Sequence, residues 1–165
     1  MLSLSKHAVP DQLPYPALEA VGTQRLIDTA ALDRPAVFIC YGEATQHGAA
    51  AIESAVRERY AAARVLVAHV IDFYTVPGLF HGVARGILNK EYEKAVAGLP
   101  QGETAEDFVV ILPDWDAAFV NALGLDDVTK RLGVAVFAED GVLQGIAQGE
   151  DAATETLRLL TSALG

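Results

Sequence analysis

The chain of 165 residues contains a single thiol, Cys40. A cysteine attacks peroxides and disulfides as its thiolate, so reactivity requires surroundings that lower the thiol pKa. Cys40 instead lies inside the continuous apolar run from 35 to 41, where burial raises the pKa of a thiol. The sequence therefore favours a structural core cysteine. The alternative is a thiol-dependent antioxidant enzyme that uses Cys40 as its nucleophile.

Three polar residues, Thr45, Gln46 and His47, follow this run where a helical pattern begins. Thr45 is a suitable N-cap residue, because a threonine hydroxyl accepts a hydrogen bond from a free helix N–H group. His47 lies in the first helical turn, beside backbone N–H groups that attract anions. It is therefore either a solvated histidine or an acid–base or anion-binding group.

Further polar and aromatic side chains follow the predicted strands. In open α/β sheets, ligands bind beyond the carboxyl ends of the parallel strands. The sequence thus predicts a cleft for a small molecule or a protein partner, lined by Tyr41, Thr45, Gln46, His47, Asp72, Asp114 and Trp115. His47, Asp72 and Asp114 lack a spacing that demands a metal, and we expect neither a metal nor another cofactor.

Two other histidine positions have simpler interpretations. His69 lies in the middle of an apolar run, on the side of Val67 and Ile71, and we expect a hydrogen-bonded core histidine. His81, Arg85 and Asn89 recur at helical spacing, which is typical of a solvated face. Arg85 would receive an anionic ligand only if this helix folds over the cleft.

The composition limits the classes of partner. Hydrophobic residues make up 52% of the chain and the formal net charge is −10, which describes a globular protein that repels nucleic acid and anionic lipid. The N-terminal residues contain no apolar stretch of signal-peptide length, and no window reaches the length of a membrane span. We therefore expect a cytoplasmic location.

Apolar runs and helical patterns alternate along the chain. Strands are predicted at 35–41, 65–73, 108–112, 133–141 and 142–148, with the last two joined by the hairpin signal Asp140-Gly141. Helices are predicted at 46–62, 77–96, 117–123 and 151–164. Strands that alternate with helices imply that the first three strands are parallel. We expect one domain over 1–165, with an N-terminal arm and turn over 1–33 and a helical insertion over 76–107.

The inserted helix carries its own apolar stripe. Its apolar residues recur at helical spacing: Phe80, Val83, Ala84, Ile87, Leu88 and Ala95. A further alternative is therefore a structural subunit that associates through the apolar side of this helix, for example as a homodimer.

Several short motifs occur in a recognisable order. Pro10-Asp11, a turn at Gly22 and Arg34-Pro-Ala-Val-Phe38 precede the first core strand, and Glu139-Asp-Gly141 opens the last hairpin. This order resembles the thioredoxin-like superfamily in its peroxiredoxin and TlpA-like branch, and the inserted helix is similar to that of the bacterial YtfJ group. The resemblance implies an α/β fold: a thioredoxin-like three-layer α/β/α sandwich with a central mixed sheet and an inserted helix after the second core strand.

The two hallmarks of that superfamily are missing. The positions of the Cys-x-x-Cys motif hold Thr45-Gln-His-Gly48, so Gly48 stands where a peroxidatic cysteine would be. The cis-proline position falls near Leu132, and no proline follows Pro113. The resemblance thus implies a redox-inactive relative, not a dithiol–disulfide oxidoreductase, that binds a small molecule or a protein at the former active-site rim.

Overall fold

The N-terminal part of the chain forms a small antiparallel hairpin. The computed structural model describes residues 15–164, and the predicted motif at Pro10 lies outside them. Strand β1 (Leu18–Glu19) pairs with β2 (Leu26–Ile27), and a 3-10 turn follows at Thr29–Ala31. The described part of the predicted arm is therefore structured, because the hairpin buries Leu18 and Ile27 against the main sheet.

Five strands form the central mixed sheet in the order β5-β4-β3-β6-β7. They are β3 (Ala36–Tyr41), β4 (Leu66–Asp72), β5 (Ile111–Asp114), β6 (Gly133–Phe137) and β7 (Leu143–Gln148). β3, β4 and β5 run parallel, whereas β6 and β7 are antiparallel. The predicted parallel strands and closing hairpin are confirmed, because strands buried on both faces leave continuous apolar runs in a sequence.

Helices and the N-terminal hairpin cover the two faces of the sheet. The helices are α1 (Gln46–Arg57), α2 (His81–Ala97), α3 (Ala105–Phe108), α4 (Ala118–Leu123) and α5 (Ala152–Leu164). α1 and α5 pack on the face that contains Val37 and Ile39. α4 and the β1–β2 hairpin pack on the opposite face, which contains Phe38 and Cys40. This arrangement is the predicted α/β/α sandwich.

The third core strand differs from the predicted one. The sequence predicts a strand at 108–112, but Phe108 ends the short helix α3 and the strand runs from Ile111 to Asp114. β5 includes Pro113 because it is the edge strand, where a residue without an N–H group is tolerated. The shift brings Asp114 into register with Asp72 at the end of β4.

The apolar stripe predicted for the inserted helix is mostly exposed. Leu88 is buried, but Val83 and Ile87 are 63% and 58% exposed, and Phe80, just before the helix, is 52% exposed. The side of α2 that faces the body of the protein is the side with His81, Arg85 and Leu88, so most of the apolar stripe lies on the outside.

Candidate functional site

Cys40 is fully buried in the middle of the sheet. Its side chain is 0% exposed and lies with Phe38 and Val70 in one core cluster. Burial raises the pKa of the thiol far above its ordinary value, and the negative charges of Asp114 and Asp72 raise it further. Cys40 is therefore a core residue, as predicted: its sulfur has no access to solvent, and the charges that act on it from the described residues disfavour a thiolate.

Thr45, Gln46 and His47 occupy the predicted loop and first helical turn. Thr45 holds the N-cap position of α1, but its hydroxyl does not cap the helix. The hydroxyl accepts a hydrogen bond from the Gly42 N–H at 3.1 Å and donates to the Val128 carbonyl at 2.8 Å. The predicted capping bond is therefore wrong, because the Thr45 hydroxyl ties this loop to a neighbouring one. Gln46 and His47 are exposed.

The two positions at which the sequence resemblance leads one to expect a cysteine and a cis-proline face each other. A Cβ atom at Gly48 would lie 3.3 Å from Cδ1 of Leu132, the residue at the expected cis-proline position. No cis peptide bond occurs among residues 15–164. The geometry thus supports the alignment: the place where a thiolate would meet a proline contains a bare glycine and an aliphatic side chain.

Tyr41 points to the α1 side of the sheet. Its hydroxyl lies 3.0 Å from Nδ1 of His69, and Nε2 of His69 lies 2.9 Å from a carboxylate oxygen of Glu53 on α1. Burial raises the pKa of the Tyr41 phenol, and the charge of Glu53 adds to the effect. His69 is hydrogen-bonded and mostly buried, as predicted. The chain of three side chains links β3, β4 and α1 and keeps Tyr41 away from the predicted cleft.

Asp114 and Asp72 lie on the other side of the sheet. Asp114 is 1% exposed, and its two carboxylate oxygens accept hydrogen bonds from the N–H groups of Phe119 and Val120, at 3.4 and 3.0 Å. Asp114 therefore caps α4. Asp72 accepts the N–H of Tyr74 at 2.8 Å, which closes the turn after β4. Both carboxylates have structural partners.

The capping role of Asp114 predicts a pH-dependent effect of Asp114→Asn. We expect the free energy of unfolding of the variant to be lower by about 1–2 kcal/mol, because one amide oxygen cannot accept both N–H groups equally well. Burial raises the pKa of Asp114, so the folded wild type loses stability as pH rises through the folded-state pKa. Asparagine does not titrate, so the difference in the free energy of unfolding between wild type and variant should become smaller from acidic to neutral pH.

Urea unfolding of both proteins at several pH values checks this. Asp140→Asn is the control, since Asp140 is exposed, accepts a single N–H bond, from Val142, and lies outside the cleft lining. A gap that widens with increasing pH would contradict the assigned direction.

Trp115, directly after β5, is the centre of an aromatic and cationic cluster. Its ring stacks on Phe73 with centroids 4.9 Å apart and contacts His81 at 4.5 Å. The guanidinium carbon of Arg85 lies 4.6 Å from the centre of the Trp115 ring, a cation–π distance. Helix α2 therefore folds onto the end of β5 through His81 and Arg85.

A cleft of about 510 Å³ opens beside this cluster. Helix α2, the β1–β2 hairpin and the end of β5 form its walls. The polar and aromatic lining residues are Glu19, Gln24, His81, Arg85, Asn89, Asp114, Trp115 and Asp116. The stripe of His81, Arg85 and Asn89, for which the sequence favours a solvated face, thus lines a cleft, as in the alternative interpretation.

The predicted site residues do not all line this cleft. Asp114 and Trp115 line the cleft beside α2, whereas Tyr41, Thr45, Gln46, His47 and Asp72 are not among its lining residues. That these residues share one site stays a prediction, and the alternation of strand residues between faces separates two of them. Tyr41 belongs to the α1 face, and Asp114 to the α4 face. The sequence did not predict the β1–β2 hairpin that forms one wall of the cleft, because its two short strands are stabilised by tertiary packing and leave no local pattern.

Within residues 15–164, no group of three His, Cys, Asp or Glu side chains is arranged to hold a metal ion. The side chains that line the cleft are suited instead to hydrogen bonding, stacking and ion pairing with an organic molecule.

Comparison with known proteins relates the chain through its fold. No family model matches the sequence, and no curated protein matches it. A thiol-disulfide isomerase from Corynebacterium glutamicum superposes with a TM-score of 0.61 at 9% identity, covering 94% of this chain and 99% of that one. A thioredoxin-like protein from Aeropyrum pernix gives a TM-score of 0.58 at 9% identity, with coverages of 96% and 94%.

A third similar structure is a secreted Mycobacterium tuberculosis disulfide oxidoreductase, homologous to the Escherichia coli protein DsbE. It superposes with a TM-score of 0.54 at 11% identity, covering 92% of this chain and 98% of that one. The chain therefore has the thioredoxin-like fold, as its motif order predicted. Among residues 15–164, no helix combines the length and apolar character needed to cross a membrane. The cytoplasmic location stays a prediction.

Proposed function

We propose that this protein is a redox-inactive member of the thioredoxin-like fold that binds a small carboxylate-bearing molecule in the cleft between α2 and the β1–β2 hairpin. The observation that carries the proposal is the Arg85 guanidinium, in cation–π contact with Trp115 in the wall of a cleft of about 510 Å³. This volume is in the range of small-molecule sites.

The thiol chemistry of the similar structures has no support in this chain. Dithiol exchange needs two cysteines, and the sequence contains one. A one-cysteine peroxidase needs an accessible thiolate, and Cys40 is fully buried with a raised pKa. A binding function needs neither a pair of cysteines nor an accessible thiolate.

The chemistry of the cleft favours a carboxylate. The cation–π contact with Trp115 holds the Arg85 guanidinium at the cleft, and the N–H donors of a guanidinium match a carboxylate in bidentate geometry. No acidic side chain within residues 15–164 forms an ion pair with Arg85. Glu19 and Asp116, also in the lining, disfavour ligands with several negative charges. A planar molecule with one carboxylate satisfies these conditions.

The sole tryptophan makes the test direct, because its fluorescence reports on this cleft alone. We expect small aromatic carboxylates such as benzoate to change the Trp115 emission and raise the melting temperature, while the matched neutral amide, benzamide, has a much smaller effect. Arg85→Gln should weaken carboxylate binding by roughly 10-fold or more, since hydrogen bonds to charged groups contribute about 1.5–3 kcal/mol.

Arg59→Gln is the control for net charge. Arg59 is exposed just after α1 and is not among the lining residues of the cleft. Equal loss of binding in Arg59→Gln and Arg85→Gln would indicate a general charge effect. A screen in which carboxylates and amides produce the same change, or neither produces one, would contradict the proposed ligand class.

A further inference from the structure

The exposed large hydrophobic side chains are concentrated in one segment. Five of the eight found in the described residues lie between 74 and 87. They are Tyr74 (67% exposed), Leu79 (86%), Phe80 (52%), Val83 (63%) and Ile87 (58%). Isolated exposed hydrophobic residues are normal on proteins, but a continuous apolar patch marks an interaction surface.

The outer side of α2 has a defined shape. Val83 and Ile87, four residues apart, continue the line of Leu79 and form a ridge. Gly82 and Gly86, also four residues apart, form a parallel row without side chains. A Cβ atom at either glycine would meet no other atom within 4 Å. We name this surface of Leu79, Phe80, Gly82, Val83, Gly86 and Ile87 the α2 apolar face.

We propose that the α2 apolar face is the interface of a homodimer in which α2 packs against α2 of a second copy. A two-fold interface requires a surface that is complementary to itself. A ridge beside an empty row satisfies this requirement, because the ridge of each helix fits the groove of the other, as in ridges-into-grooves packing.

The charge and the area of the α2 apolar face both favour a second copy of the chain as its partner. The chain has a formal net charge of −10, yet residues 73–87 contain no acidic residue, so this segment adds no acidic charge to the repulsion between two copies. At these exposures Leu79, Phe80, Val83 and Ile87 present on the order of 450 Å² of apolar surface, more than half of the ~800 Å² per partner of a standard interface. Exposed backbone at Gly82 and Gly86 adds to this area.

Analytical ultracentrifugation of the full chain, from micromolar to millimolar concentration, tests the proposal. We expect a concentration-dependent shift from 17.5 kDa to twice that mass. Val83→Asp and Ile87→Asp should each raise the dimer dissociation constant by roughly 30-fold or more, as for hot-spot residues. Ala51→Asp is the control, because it adds the same charge on the exposed side of α1.

Gly86→Leu separates specific packing from general adhesion. The variant should fold, since a Cβ atom at this exposed position meets no atom within 4 Å and leucine favours helices. It adds apolar surface, yet it fills the groove and should raise the dissociation constant at least tenfold. Association that is unchanged or strengthened in Gly86→Leu overturns the proposal. So does a wild type that stays monomeric throughout, which would mean that another partner or residues 1–14 cover this face.

Discussion

In the folded wild-type protein, Cys40 should react with a thiol-specific disulfide reagent at least roughly a thousandfold more slowly than in the unfolded chain. The sulfur is 0% exposed, and the pKa of the thiol is raised by burial and by Asp114 and Asp72. The reagent can therefore reach the Cys40 thiol only after the sheet opens. Stopped-flow labelling at neutral pH, with and without denaturant, measures the ratio. Fast labelling of native Cys40, together with its consumption of peroxide, would restore the alternative of a thiol-dependent enzyme.

Gly48→Cys is the matched positive control in the same experiment. It places a thiol in the exposed first turn of α1, where the helix dipole favours the thiolate. We expect one fast-reacting thiol with a pKa below the ~8.5 of free cysteine, while Cys40 remains silent. The Cβ atom fits if the Leu132 side chain shifts by a few tenths of an ångström. A slow thiol at position 48 would show that this turn does not occupy the place of an active-site turn.

The core of the fold could be predicted from the sequence because local patterns determine it. The runs over 35–41 and 65–73 are continuous because β3 and β4 are buried on both faces. Asp140-Gly141 predicted the closing hairpin because Gly141 adopts a φ of +87° in its turn. The lost cysteine positions could be counted from β3, since the loop between β3 and α1 is short.

The site could not be predicted, because it depends on which face each side chain takes and on contacts between distant segments. Tyr41 and Asp114 both follow parallel strands at the same edge, but they point to opposite faces of the sheet. The cleft forms where α2 packs against Trp115 and the β1–β2 hairpin. The local sequence pattern of α2 does not predict these contacts. The spacing of His81, Arg85 and Asn89 identified one side of the helix, but not what lies opposite.

Apolar residues on two sides of α2 explain why its orientation was ambiguous. Leu88 packs inward, while Val83 and Ile87 point outward, so hydrophobicity alone indicates two faces for burial. The aromatic and cationic contacts of Trp115 with His81 and Arg85 select the orientation in the monomer. In the proposed dimer, the outward face is buried as well. Ligand binding and association would then stabilise the same helix from opposite sides.

The second prediction with a large effect concerns the turn that supports the cleft wall. Gly141 has a φ of +87°, and a Cβ atom there would lie 2.5 Å from the Thr29 carbonyl oxygen, which follows the β1–β2 hairpin. We expect Gly141→Ala to lower the free energy of unfolding by about 2–4 kcal/mol, because the left-handed backbone and the overlap with a main-chain atom add up. Urea unfolding monitored by circular dichroism measures the loss.

Gly102→Ala separates the two contributions. Gly102 has a φ of +90°, but its Cβ atom would meet no atom within 4 Å, so we expect a loss of about 1–2 kcal/mol from backbone strain alone. The additional loss of unfolding free energy in Gly141→Ala, relative to Gly102→Ala, then measures how firmly the segment at Thr29 is held against the closing hairpin. Because this segment continues directly from β2, its displacement should also weaken carboxylate binding beside Trp115, while Gly102→Ala leaves binding intact. Equal stability losses in the two variants would mean that Thr29 moves aside freely and that the hairpin wall of the cleft is not rigidly supported.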